Sequence, residues 1–177
     1  MPKYVAFLRG MNLGKRRVTN TELERAFKAL KFENVSTFIA SGNVIFDSRA
    51  GEGPLRTKLE THLEETFGYP VPTFLRTTSH LADVATVRPF APARHKSAKT
   101  FMVGFIPEPL TVAQQNVVLA LAGPKDEFHV EGREIYWLIQ TTQSQSEVFR
   151  VPFDKRVGTA STWRNINTVQ RLVARYP

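Results

Sequence analysis

The chain has 177 residues, no cysteine and a net charge of +8 at neutral pH. That length suits one domain or two small halves sharing a core, and the missing cysteine excludes disulfides, thiol catalysis and cysteine-ligated metals. No apolar run approaches the roughly 18 residues a membrane span needs. Met1-Pro2-Lys3-Tyr4 also leads directly into an apolar segment without a charged-then-apolar leader, so a cytoplasmic protein is expected.

The segment Lys3–Arg9 is a compact apolar run of strand length. A loop over 10–18 follows, and Thr19 with Glu22 has the spacing of a capping box. Leu23, Ala26, Phe27 and Leu30 then recur at helical spacing. Val35–Ala40 and Val44–Phe46 are β-branched and aromatic, and Ser41-Gly42-Asn43 between them predicts a hairpin turn. Pro54 suits a first helical turn, and Leu55, Leu59, Leu63 and Phe67 form the next helical stripe. Val71–Thr77 reads as a strand that begins at a sheet edge, because Pro70 and Pro72 cannot donate to a ladder. The order strand-helix-strand-strand-helix-strand is that of the ferredoxin-like split βαβ unit.

The second half partly repeats the first. A short helix over 79–87 leads into a loop over 88–98 rich in Pro, Lys and Arg. A strand over 99–106 and a helix over 111–122 come next. A hairpin of 128–130 with 133–139 turns at Glu131-Gly132, and a polar stretch leads to a last helix from about Asn165 to Arg175. The predicted fold is α+β: two ferredoxin-like α/β-sandwich halves with mainly antiparallel sheets. The first covers residues 1–78 and the second 79–177, including the terminal helix, with the two able to form one compact unit.

The positive charge is segregated. Residues 1–21 hold Lys3, Arg9, Lys15, Arg16 and Arg17 without an acid, and residues 84–107 hold Arg88, Arg94, Lys96 and Lys99 without an acid. A third basic region lies in 148–177. Such segregation implies a preference for anionic partners.

Three strings concentrate glycine, amide and cationic side chains at element ends. In Arg9-Gly10-Met11-Asn12-Leu13-Gly14-Lys15 the glycines permit positive φ and close backbone approach. A P-loop needs four residues between its glycines and a hydroxyl after the lysine. Here three residues intervene and Arg16 follows Lys15, which leaves a more general anion nest. In Ser41-Gly42-Asn43 the residue types suit a tight turn, with Ser41 and Asn43 as candidate ligand donors beside Arg9. In Thr162-Trp163-Arg164-Asn165, Thr162 or Asn165 could cap the last helix. Arg164 at that helix start would oppose the dipole unless an anion bound there.

No metal is expected. His62, His80, His95 and His129 lack metal-ligand spacing, and Glu127, His129 and Glu131 read as a solvated strand face. No cofactor and no firm nucleophile or general base stand out. Phe101, Val103 and Phe105 share one strand face, a weak echo of an RNA-binding platform that core packing explains more simply. Tyr136 and Trp137 lie on opposite faces of one strand, so one of them is a candidate for exposure.

Three segments resemble the signatures of a bacterial family, domain-of-unknown-function family 1697. They are Leu8–Gly14, Thr37–Phe46 and Thr162–Val169. The resemblance implies the same two-half ferredoxin-like fold and supplies no established activity. Where the family carries tryptophan after its Arg-Asn pair, this chain has Ile166 and places Trp163 before the pair.

The functional expectation is a binding module for a phosphate-bearing ligand, either nucleic acid or a nucleotide, on a basic face. Arg9, Lys15 and Arg164 would neutralise phosphate, and Asn12, Ser41, Asn43 and Asn165 would orient it. Alanine at Arg9 or Arg164 would then weaken anion binding and leave the melting temperature unchanged. The alternatives are a small enzyme that stabilises an anionic transition state with the same residues, and a structural or partner-binding protein.

Overall fold

The computed structural model describes residues 1–39 and 42–177. The chain divides into two compact units. One comprises Met1–Asp83 with Leu172–Pro177, and the other Val84–Arg171.

In the first unit, β1 (Lys3–Leu8), β2 (Glu33–Thr37), β3 (Asn43–Asp47) and β4 (Thr73–Thr77) form a sheet of order β2-β3-β1-β4. Every pairing is antiparallel. Helix α1 (Asn20–Ala29) and helix α2 (Glu52–Phe67) make the two crossovers. The Thr19–Glu22 capping box is present: the Thr19 side chain accepts from the Glu22 amide, and the Glu22 carboxylate accepts from the Thr19 amide. Leu23, Ala26 and Phe27 of α1 and Leu55, Leu59 and Leu63 of α2 pack with Tyr4, Ala6, Leu8, Val44, Phe46 and Leu75 of the sheet. These positions alternate along each strand, so one face of the sheet is covered by both helices. Helix α3 (Thr78–Val84) follows β4.

In the second unit, β5 (Thr100–Phe105), β6 (Asp126–Glu131), β7 (Glu134–Ile139) and β8 (Thr162–Asn165) repeat that order as β6-β7-β5-β8, again with antiparallel pairings. Helix α4 (Pro92–Ser97) precedes β5, and α5 (Val112–Leu119) makes the first crossover. The second crossover is assembled from two 3-10 turns (Gln143–Gln145 and Glu147–Arg150) and α6 (Phe153–Val157) instead of one long helix. Helix α7 (Ile166–Arg175) follows β8. Met102, Ile106, Phe128, Ile135, Trp137 and Ile139 pack with Val118 of α5 and Val157 of α6.

Two sequence expectations change. The predicted loop over 88–98 contains α4, whose tethers are tertiary and invisible to local pattern. Arg94 Nε donates to Glu127 Oε2 at 2.9 Å, and Arg94 Nη2 to the Pro124 carbonyl at 2.8 Å. Gln140 Nε2 donates to the Arg94 carbonyl, and Ser97 Oγ donates to Gln140 Oε1. The string Thr162–Asn165, in which Thr162 or Asn165 is expected to cap the last helix, is strand β8, and its last residue, Asn165, does cap that helix. The strand is only four residues long, too short for periodicity to register.

Candidate functional site

The residues expected to bind ligand fall in both units. In the first, the loop after β1 is held largely by its own side chains. Asn12 Oδ1 accepts from the Val18 amide at 3.1 Å. Arg16 Nη1 donates to the Gly10 carbonyl while its guanidinium lies 3.9 Å above the Tyr69 ring. Arg17 donates to the Gly14 and Arg16 carbonyls. Gly10 and Gly14 adopt φ of +75° and +58°, the left-handed region the sequence anticipated. Arg9 and Lys15 are exposed. Asn43 is fully buried, and its side chain donates to the Phe38 carbonyl at 2.9 Å, so it holds the hairpin. Ser41 lies outside the described residues.

In the second unit Arg164 is 9% exposed. Its Nη1 donates to Thr162 Oγ1 and to the Trp163 carbonyl, both at 2.9 Å. Burial pushes its pKa down to about 10, which still leaves it charged at neutral pH. It is a strand residue with a buried head, where the sequence suggested a cation at the start of the last helix. Asn165 is half-buried, and its Oδ1 accepts from the Asn167 amide at 2.9 Å, which caps α7.

Asn165 also opens onto a hollow of about 250 Å³ at the end of the sheet where β5 starts, β8 stops and α7 begins. Arg88, His95 and Lys99 supply its cationic and imidazole groups, and Phe101 and Leu138 its apolar wall. Phe101 and Leu138 are cross-strand partners and share one face of the sheet. Ile166 and Asn167 bring the first turn of α7 to the rim, where helix amides have no intrahelical acceptors and the dipole favours negative charge. No acidic side chain lines this hollow.

His95 sits against Phe101, with ring centroids 5.1 Å apart, and against Phe90 at 5.5 Å. Its Nε2 faces the Phe90 amide N–H at 3.2 Å. A backbone amide can only donate, so Nε2 is the acceptor and the neutral ring carries its proton on Nδ1. Burial first and the Arg88 charge second hold its pKa below the usual 6.5, while Glu127 opposes them. The unfolded chain therefore binds this proton more readily, and His95 contributes stability above pH 6.5 that is lost as pH falls through its depressed folded value. A His95→Gln variant should show a shallower loss of melting temperature between neutral and mildly acidic pH than wild type.

The sequence did not single out Arg88, His95 or Lys99 as site residues. The signal that could have found them was the acid-free basic segment 84–107. The RNA-platform reading is overturned, because Phe101, Val103 and Phe105 are at most 9% exposed and cannot stack on bases. Tyr136 and Trp137 are both buried, so neither is the exposed aromatic that strand alternation allowed. His129 Nε2 lies 3.4 Å from Glu131 Oε2, and Glu127 pairs with Arg94. Among the described residues no group of His, Asp and Glu could hold a metal ion. No helix among them is long and apolar enough to cross a membrane.

No curated protein matches the chain. Among solved structures, a conserved bacterial protein from Streptococcus pneumoniae is similar at 23% identity, with a TM-score of 0.78 over 99% of this chain and 98% of that one. That likeness shows the fold, which is the α+β arrangement expected from the element order. The profile of the DUF1697 proteins, described as of unknown function, matches residues 1–136 and thus both of the first two motifs, β1 with its loop and the β2–β3 hairpin. The chain belongs to that family.

Proposed function

We propose that this protein binds a phosphate-bearing ligand in the hollow at the start of α7. The observation that carries the reading is the convergence of Arg88, Lys99 and the His95 imidazole on one acid-free cavity at a helix start. Each supplies donors and none an unoccupied acceptor. Arg88 and Lys99 form no ion pair among the described residues, so their charge is available to an anion. The His95 ring presents Nδ1–H, because its lone pair already accepts from Phe90. That arrangement favours holding an anion over general-base catalysis. The apolar wall of Phe101 and Leu138 gives the non-phosphate part of the ligand a surface to pack on, and the size of the hollow suits one phosphoryl group with a small substituent. A nucleotide meets that description better than a polymer. The loop at Arg9 and Lys15 adds an exposed basic surface in the first unit.

The test is calorimetric titration with inorganic phosphate and with a nucleoside monophosphate, beside fluorescence anisotropy of a labelled single-stranded oligonucleotide over a salt series. Arg88→Ala and Lys99→Ala should each weaken phosphate binding about tenfold, the worth of one charge-assisted hydrogen bond. Both side chains are exposed, so melting temperature should hardly change. Sulfate should bind more tightly as pH falls below neutral, because a dianion beside His95 raises the proton affinity that Arg88 lowers. Oligonucleotide binding with a steep salt slope would move the reading to nucleic acid. Absence of phosphate and nucleotide binding at low salt would overturn it.

A further inference from the structure

On the opposite face of the same sheet lies a second cavity, of about 190 Å³, between the sheet and the 3-10 turns of the second crossover. Its walls are Trp137 of β7, Trp163 of β8 and Phe153 of α6, with Phe149 and Gln143 from the turns. Trp163 stands nearly perpendicular to both other walls, at 78° to Trp137 and 90° to Phe153, with centroids 5.8 and 5.2 Å away. The walls are therefore an aromatic box open on one side.

Both indoles are anchored from behind. Trp137 Nε1 donates to Asp126 Oδ1 at 2.8 Å, and Ser146 Oγ donates to the same oxygen at 2.6 Å. Trp163 Nε1 donates to Ser161 Oγ at 3.0 Å, and Ser161 Oγ donates to Asp154. With their N–H groups satisfied, the two rings offer only π surface to the cavity. Behind Trp163 is Gly104, where a Cβ would come within 2.8 Å of the indole. Phe149, by contrast, is 54% exposed at the mouth. The Gln143 carboxamide has no hydrogen-bond partner among the described residues. An anchored aromatic floor, a solvent-facing aromatic rim and one unpartnered amide form a site in which orientation is prepared before a ligand arrives.

We propose that this box binds a neutral planar nitrogen heterocycle, a ring of the purine type, at a site separate from the phosphate hollow. The aromatic walls favour a flat ring through offset and edge-to-face contacts. The Gln143 amide presents a donor and an acceptor side by side, the complement of a ring edge with adjacent acceptor and amino groups. A cationic occupant of such a box is disfavoured because the covering segment Gln143–Val157 carries Arg150, Lys155 and Arg156 against Glu147 and Asp154. No carboxylate lines the cavity to receive a cation.

The chain has two tryptophans, and both line this cavity, so its intrinsic emission reports occupancy. Adenine titrated into the full-length protein, with excitation at the red edge of tryptophan absorption, should quench that emission saturably. Gln143→Leu should weaken the interaction by about three- to tenfold, the effect of losing one neutral hydrogen-bonding pair. Phe149→Ala should weaken it by a similar factor while leaving the near-ultraviolet dichroism unchanged. Arg88→Ala should leave it unaltered, which separates this site from the phosphate hollow. The proposal is overturned by unsaturable quenching, by wild-type affinity in both box variants, or by tighter binding of choline than adenine. It is equally overturned if sedimentation shows that the face is occupied by a second copy of the chain at working concentration.

Discussion

Arg164→Ala is expected to cost about 2–4 kcal/mol of stability, comparable with truncating a large core side chain. In a chain of this size that corresponds to a fall in melting temperature of roughly 5–15 °C. The side chain is nine-tenths buried and donates to Thr162 Oγ1 and the Trp163 carbonyl. Its removal opens a cavity and strips donors from acceptors that have little access to water. Arg164→Met, which fills most of the volume without the charge, should lose less, because the buried guanidinium carries a desolvation cost of its own. Phosphate binding by the folded variant should stay near wild type, since the hollow is lined by Arg88, His95 and Lys99 and not by Arg164. Paired thermal denaturation and calorimetry decide this. A variant that melts normally but no longer binds phosphate would support the ligand role that the sequence suggested for Arg164.

The second large effect is expected at Gly104. A methyl group there would lie 2.8 Å from three atoms of the Trp163 indole. That ring is not a flexible chain end: it is hydrogen-bonded through Nε1 and packed against Trp137 and Phe153. Either the ring or strand β5 has to shift, at a cost of about 1–3 kcal/mol for an overpacked core. Gly104→Ala should therefore lower the melting temperature, alter the tryptophan emission and weaken adenine binding together, while phosphate binding persists in the folded protein. An unchanged melting temperature with an unchanged emission spectrum would show that the ring does not press on β5.

Both cases turn on which face of a strand a side chain occupies. Trp163 and Arg164 are neighbours in sequence, but alternation sends them to opposite faces of β8. One lines an aromatic cavity and the other is a buried structural cation. The sequence carries that alternation only once the segment is known to be a strand, and four residues before a strongly amphipathic helix read naturally as a cap. The same limit applies to Asn12 and Asn43. Amides at turns serve ligands or backbone equally well by composition, and the Val18 amide and Phe38 carbonyl that engage them were not identifiable by spacing.

The sequence by itself determined the order of elements in the first half, the α+β class and the absence of cysteine chemistry. It also determined the Thr19–Glu22 helix start and the positive-φ glycines of the first loop. These are local properties, set within a few residues by capping, periodicity and backbone freedom. Only the tertiary structure decided that α4 is tethered by Arg94 and Gln140, that His95 is a neutral donor beside Arg88, and that two tryptophans share one cavity. Each of those depends on groups distant in sequence meeting across a sheet, where burial and hydrogen bonding select partners that local pattern does not encode.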